Sequence, residues 1–175
     1  MEFRSFEENL ELGIHVEELF VKVLEKMKFI TDNYEIEHLY MSGRHSGFTY
    51  DVLLDCKNDK YRNLAFDVKS VGGITQPRVF ITPKGVELNK QVRNAISQGY
   101  MPFISFYRYD DDMTERKAGY PNNWHAFMLT YSSWLNNLSS YPYYPKLVKQ
   151  SILLSEFPPY AQKNCQKVTL ETKVV

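Results

Sequence analysis

The stretch FTYDVLLDCKNDKYRNLAFDVKSV, Phe48 to Val71, decides how this chain is read. Its two ends, Phe48 to Leu54 and Leu64 to Val71, are rich in strand formers, and the polar CKNDKYRN between them suits a turn, so the whole reads as a β-hairpin. With the turn near Asp59, antiparallel pairing sets Asp51 opposite Asp67. Side chains alternate faces along a strand, which puts Lys69 on the face of Asp67 and turns Val68 to the other. Two carboxylates and an ammonium are therefore expected to converge. Carboxylates so placed repel each other unless a proton or a cation intervenes. A hard divalent ion such as magnesium removes the conflict: it takes oxygen ligands, binds through one or two carboxylates, and keeps waters and open positions for a phosphate oxygen. Lys69 beside it is suited to orient or help deprotonate an attacking water and to offset charge on a scissile phosphate. Phosphodiester hydrolysis is the chemistry that such a set serves.

Working outward, Gly13 to Phe29 carries Val16, Leu19, Phe20, Val23, Leu24 and Met27 at the spacing of an amphipathic helix. Tyr34 to Met41 alternates polar and apolar residues and predicts a strand before the hairpin. Gly72 and Gly73 interrupt the chain after it. A short strand is expected over Arg78 to Thr82, and Pro83-Lys84-Gly85 opens a second helical pattern with Val86, Val92 and Ile96, ended by Gly99. Met101 to Tyr107 is apolar enough for a buried strand, Asp110 to Asn123 reads as an exposed loop, and Trp124 to Tyr131 as a further strand. YPYYPKLVKQSILLSEFPPY, from Tyr141, mixes Pro and Tyr around a short helical pattern, and the last dozen residues carry no clear pattern. The expected architecture is α/β, a central mixed sheet flanked by helices in the order α-β-β-β-α-β.

The 175 residues form one expected domain, with a core over about 13–107 and an aromatic and Pro-rich extension over about 120–175. Lys plus Arg equals Asp plus Glu at 21 each, so no global basic field holds nucleic acid at a distance and any polyanion contact must be local. Cys56 and Cys165 stand far apart without CxxC or Cys/His spacing, which argues against a zinc site and a secreted disulfide scaffold. The acidic start MEFRSFEENLELG is no signal peptide, and no stretch approaches a membrane span. A soluble, cytoplasmic protein with no membrane partner is the expectation, and a homodimer is compatible with it.

Asp51, then fifteen residues, then Asp67-Val68-Lys69 resembles the signature of the PD-(D/E)XK nucleases, the restriction-endonuclease-like superfamily. Tyr50 stands where the motif name has proline, and Asp67 is the less frequent choice of acid. The resemblance spans roughly Gly13 to Tyr107 and rests on the motif together with the order of helices and strands. It implies a magnesium-dependent nuclease, with manganese able to substitute, acting on nucleic acid, DNA in the first place, as an endonuclease. It also implies metal ligation by Asp51, Asp67 and the Val68 backbone carbonyl, and catalysis by Asp51, Asp67 and Lys69. The family often carries a Glu on its first helix. At about 100° per residue Glu17 borders the apolar stripe and Glu18 lies almost opposite, so Glu17 is the expected fourth catalytic residue and a further ligand, in a Gly13-x-x-x-Glu17 spacing similar to first-helix patterns of the superfamily. His15 lies across the stripe from Glu17.

For any one of these charges taken alone, a solvated surface is the commoner place. Asp67, however, sits inside LAFDVKSV, where a carboxylate needs a partner or an ion. Arg44, His45, Arg78, Lys84, Lys90 and Arg93 flank the hairpin and the second helix and are candidates for phosphate contact, and Gln91 matches a helix Gln found in some branches of the family. His38, His45 and His125 have no partners at ligand or triad spacing and are expected in ordinary roles. Cys56 is expected in the hairpin or a minor core. Tyr141, Tyr143, Tyr144, Phe157 and Tyr160 suit packing on the sheet or on a second subunit better than stacking on bases. Two rival functions stay open: a catalytically inactive nucleic-acid- or protein-binding module of the same fold, and a ribonuclease.

Overall fold

A computed structural model describes residues 6–40, 50–72, 86–109, 119–128 and 151–167. Helix α1 (Phe6–Lys26) forms because Val16, Leu19, Phe20, Val23 and Leu24 fall on one stripe, all of them buried. It begins upstream of the expected Gly13 and stops short of Phe29, because Met27 adopts an extended conformation and separates it from a short second helix, α2 (Lys28–Asn33). Both Met27 and Ile30 remain in the core, so the apolar period runs through a break that hydrophobicity alone does not mark.

Strands β1 (Tyr34–His38), β2 (Val52–Cys56) and β3 (Asn63–Gly72) follow, then α3 (Val86–Ser97) and β4 (Tyr100–Tyr109). After a 3-10 turn at Pro121–Asn123 come β5 (Trp124–Met128), β6 (Ile152–Leu153) and α4 (Phe157–Asn164). The six strands make one sheet in chain order, antiparallel throughout except for the β3–β4 pair, which is parallel because α3 crosses between them. The β2–β3 register pairs Val52 with Phe66 and Leu54 with Leu64, as a hairpin centred near Asp59 requires. Asp59 itself takes φ 62°, a left-handed conformation that Asp tolerates better than most residues. The Asn63 side chain accepts the Cys56 N–H and closes the turn.

Alternation along the strands builds a core on each face. On one, α1 and α4 cover Val52, Leu54, Leu64, Phe66, Val68 and Phe103; Phe20 lies against both Phe66 and Trp124, and Phe157 against Phe66 and Phe103. On the other, Leu53, Ala65 and Tyr50 pack with Ala95 of α3. The described part of the C-terminal segment, 119–128 and 151–167, is therefore no appendage to a core ending near Tyr107. It adds β5 and β6 to the sheet and puts Phe157, Ala161 and Cys165 into the larger core.

Other sequence expectations are bounded by the same description. β1 ends at His38 and not at Met41, and the helix near the C-terminus lies over Phe157–Asn164, after a bridge-forming Ile152–Leu153. The strand expected at Arg78 to Thr82, most of the expected Asp110 to Asn123 loop, and Tyr141, Tyr143 and Tyr144 lie outside the described residues. Tyr160 packs edge-on against Phe103, and Cys56 stays in the hairpin, its Sγ receiving the Tyr61 N–H. Among the described residues no helix is long and apolar enough to cross a membrane.

Candidate active site

The β2–β3 ladder opens just before β2 begins. Asp51 donates its N–H to the Phe66 carbonyl at 2.9 Å, although Phe66 is the register partner of Val52, so two successive residues of one strand address a single residue of the other. That is the geometry of a β-bulge, a device that re-aims a side chain. Its consequence is visible in the next bond: the Asp51 carboxylate takes the position a backbone carbonyl would hold, its Oδ2 accepting the Val68 N–H at 2.7 Å. On the other side the Asp51 carbonyl accepts the Leu39 N–H at 2.7 Å. Asp51 is thus fixed by both neighbouring strands. Tyr50, where the motif name has proline, is buried against α3 and directs its hydroxyl to the Gln91 carbonyl, which anchors the chain immediately before the bulge.

β3 runs on past the opening, paired with β4 in register through Gly72. Asp67 and Lys69 share one face of it, beside the buried Ile104 and Phe106, and pair with each other at 3.2 Å between Oδ1 and Nζ. Because Phe66 turns its backbone polar groups toward β2, Val68 does so too, and its carbonyl faces the opening beyond the last ladder pair. Its side chain is buried in the core under α1. Glu17 enters from α1 and shares a side-chain hydrogen bond with Asp51, which in turn shares one with Asp67. The structure thus brings together Glu17, Asp51, Asp67 and Lys69, with the Val68 carbonyl facing the same opening.

Among the described residues, electrostatics follow from three carboxylates facing the Lys69 ammonium. Burial, reinforced by Glu17, pushes the Asp51 carboxyl up to about 7. Asp67 is likewise pushed up to about 7, by burial first and by Asp51 second, with Lys69 offsetting only part of it. Glu17 is raised too, again chiefly by burial. Lys69 moves in the same direction for the opposite reason: the Asp67 charge outweighs burial and holds its ammonium protonated. The cluster is short of positive charge.

Those observations decide whether a hard divalent ion fits. The carboxylate donors are oxygens, Lys69 is the cation paired with them among the described residues, and burial raises the proton affinity of all three carboxyls, the conflict a hard cation would relieve. Among the described residues no group of three or more His, Cys, Asp or Glu side chains forms a ready-made cage. Magnesium does not require one, since it binds through one or two carboxylates and retains water. The donor chemistry fits.

The other sequence candidates divide. Lys90 and Arg93 are exposed on α3, and Gln91 is half-buried and contributes its backbone carbonyl to Tyr50. Arg44, His45, Arg78 and Lys84 lie outside the described residues. Glu18 is half-buried, and its charge acts on His38. His38 is the residue that sequence reasoning missed. Its Nε2 lies 3.5 Å from the Glu17 Oε2 with the side chain only 8% exposed, and burial lowers its proton affinity. The signal was present in the alternation of β1: pairing it with β2 places His38 across from Val52, one residue from Asp51. His125 is stacked on Phe106 with its Nδ1 3.0 Å from the Ser151 hydroxyl. Comparison with family models, curated proteins and solved structures finds no match to this chain.

Proposed function

We propose that this protein is a metal-dependent nuclease of the restriction-endonuclease-like, PD-(D/E)XK kind, hydrolysing phosphodiester bonds in DNA. The observation that carries the reading is the bulge at Asp51, which aims that carboxylate at the Val68 N–H and gathers Glu17, Asp67 and Lys69 around the open end of the β2–β3 ladder. An isolated ion pair on a strand needs no such device. A six-stranded mixed sheet with helices on both faces, in an order that contains the expected α-β-β-β-α-β, supports the same reading.

Asp51, Asp67 and the Val68 carbonyl would hold magnesium or manganese, with Glu17 reaching it directly or through water. Such an ion, when bound, neutralises charge on the phosphate and lowers the proton affinity of a water. The protein's own groups do the rest. Lys69, kept protonated by Asp67, donates hydrogen bonds to a non-bridging phosphate oxygen and orients the attacking water. Glu17 and Asp51 share a side-chain hydrogen bond, and burial raises the proton affinity of both carboxyls, so a bound cation would compete with a proton for this pair. Ile104 and Phe106, both buried, wall the β4 side of the Asp67–Lys69 pair.

The test is a substrate panel of supercoiled plasmid, linear duplex, a four-way junction and RNA, with magnesium, with manganese and with chelator. DNA cleavage is expected with either cation and not with chelator, and to fall by about 100-fold or more in Asp51→Ala and in Lys69→Ala. Cleavage of RNA alone would reassign the enzyme as a ribonuclease. Cleavage that survives both substitutions, or none of any substrate, overturns the nuclease reading and leaves a binding module, a role consistent with the zero net charge.

A further inference from the structure

His38 stands out among the buried polar groups. Its Nε2 is the buried side-chain nitrogen without a hydrogen-bond partner among the described residues, in a structure where Asp51 accepts the Val68 N–H and Lys69 is paired with Asp67. A buried polar atom left unpaired costs about 1–3 kcal/mol, so its position calls for a reason. The nitrogen is not stranded in an apolar region. It faces the Glu17 carboxylate at 3.5 Å without a hydrogen bond to it, and Glu17 is itself joined to Asp51. The residue after His38 is tied to Asp51 through the Leu39 N–H, so the ring is held by the same backbone that positions the site. On its outer side the ring lies against Tyr40, centroids 3.9 Å apart.

Resting on the nuclease reading above, we infer that His38 is a nitrogen ligand of the cation at this site, shared with Glu17, and that it biases the site toward manganese-class ions over magnesium. An ion about 2.1–2.2 Å from each donor would see a nitrogen and an oxygen 3.5 Å apart at an angle of about 110°. That is within reach of a six-coordinate geometry after a small closure of the two side chains. Imidazole suits borderline transition ions, whereas magnesium takes hard oxygen donors and surrenders its waters reluctantly. A mixed set of one imidazole and carboxylates therefore discriminates where an all-oxygen set would not.

The experiment is pulsed electron paramagnetic resonance on the intact protein loaded with Mn2+, alongside titration of the free-ion signal. Modulation from a directly bound 14N is expected in the wild type, replaced by a 15N pattern when the protein is made with 15N-histidine. His38→Gln is expected to abolish the modulation, to weaken Mn2+ binding by at least about tenfold, the loss typical even of an outer partner, and to change Mg2+ binding far less. Should His38→Gln fail to fold, retention of the modulation in His15→Gln, His45→Gln and His125→Gln makes the assignment by elimination. Mn2+ bound without nitrogen modulation, or modulation that survives His38→Gln, overturns this inference and leaves the nuclease reading standing. No Mn2+ binding by the wild type, together with no cleavage, overturns both.

Discussion

Asp67 shows how much a single residue is asked to bear. It lies on a strand whose neighbours Ala65, Phe66 and Val68 are buried, and it shares its surroundings with Asp51 while Lys69 is the cation that compensates among the described residues. Its carboxyl is raised from 3.8 in the unfolded chain to about 7 in the folded one, so between those values the folded protein holds the proton more tightly. Stability contributed by that proton is present at acid pH and is lost as pH rises through the folded value. Asp67→Asn removes the loss. Without added cation, the variant is expected to match the wild type near pH 4 and to exceed it near pH 8 by an amount on the order of 2 kcal/mol. Urea melts at the two pH values measure the difference, and a wild type that gains on the variant as pH rises would show that Lys69 more than balances the charge. Millimolar magnesium or manganese should raise the melting temperature of the wild type and do much less for the variant.

Two glycines of opposite behaviour illustrate what the helices and their ends require. Gly99 follows α3 with φ +86°, donates its N–H to the Ile96 carbonyl at 3.0 Å, and has open space where a Cβ would stand. Gly13 lies inside α1, also with open space at that position and no left-handed angle. Gly99→Ala is therefore expected to destabilise by about 1–2 kcal/mol through the backbone alone, and Gly13→Ala to stabilise by about 0.5–1 kcal/mol. Denaturant midpoints with unchanged slopes would establish both signs. Elements with strong periodicity were legible at this scale: α1 by its stripe, β2 and β3 by alternation and a polar turn, α3 by its terminal glycine. The α1–α2 break was not, because Met27 leaves the helical conformation while staying buried, and a hydrophobic pattern records only burial.

At the scale of the whole molecule, the described residues 119–128 and 151–167 join the sheet and the core that the first helix covers. Phe157 is fully buried against Phe66 and Phe103, and the Arg62 N–H and the Cys165 carbonyl join the hairpin to the end of α4. Phe157→Ala is expected to cost about 3–5 kcal/mol and to lower one common unfolding transition, seen alike by tryptophan fluorescence and by circular dichroism. Separate transitions would mean that the segment docks as its own unit. Short, aromatic, Pro-bearing sequence gave no sign of this, since β6 is two residues long and its partner β5 lies over twenty residues away. The candidate site was legible to the extent that it lies on one hairpin. Asp67 and Lys69 follow from turn position and strand alternation and Glu17 from helical phase, whereas the bulge sets Asp51 against Phe66 and not in the expected register with Asp67. The bulge and His38 depend on how β1 and β3 flank β2, a relation between strands that no single window of sequence contains.

The bond between the Asp51 carboxylate and the Val68 amide also gives the protein a built-in reporter. Amide protons donated to a carboxylate are strongly deshielded, and this one sits at the point where a cation, a substrate phosphate or a change in the Asp51 rotamer must register. One resonance in a two-dimensional NMR spectrum thus reads the state of the site without turnover. It should shift when Mg2+ is added, move with the Asp51 titration near neutral pH, and lose its hydrogen-exchange protection in Asp51→Ala while the β3–β4 amides keep theirs.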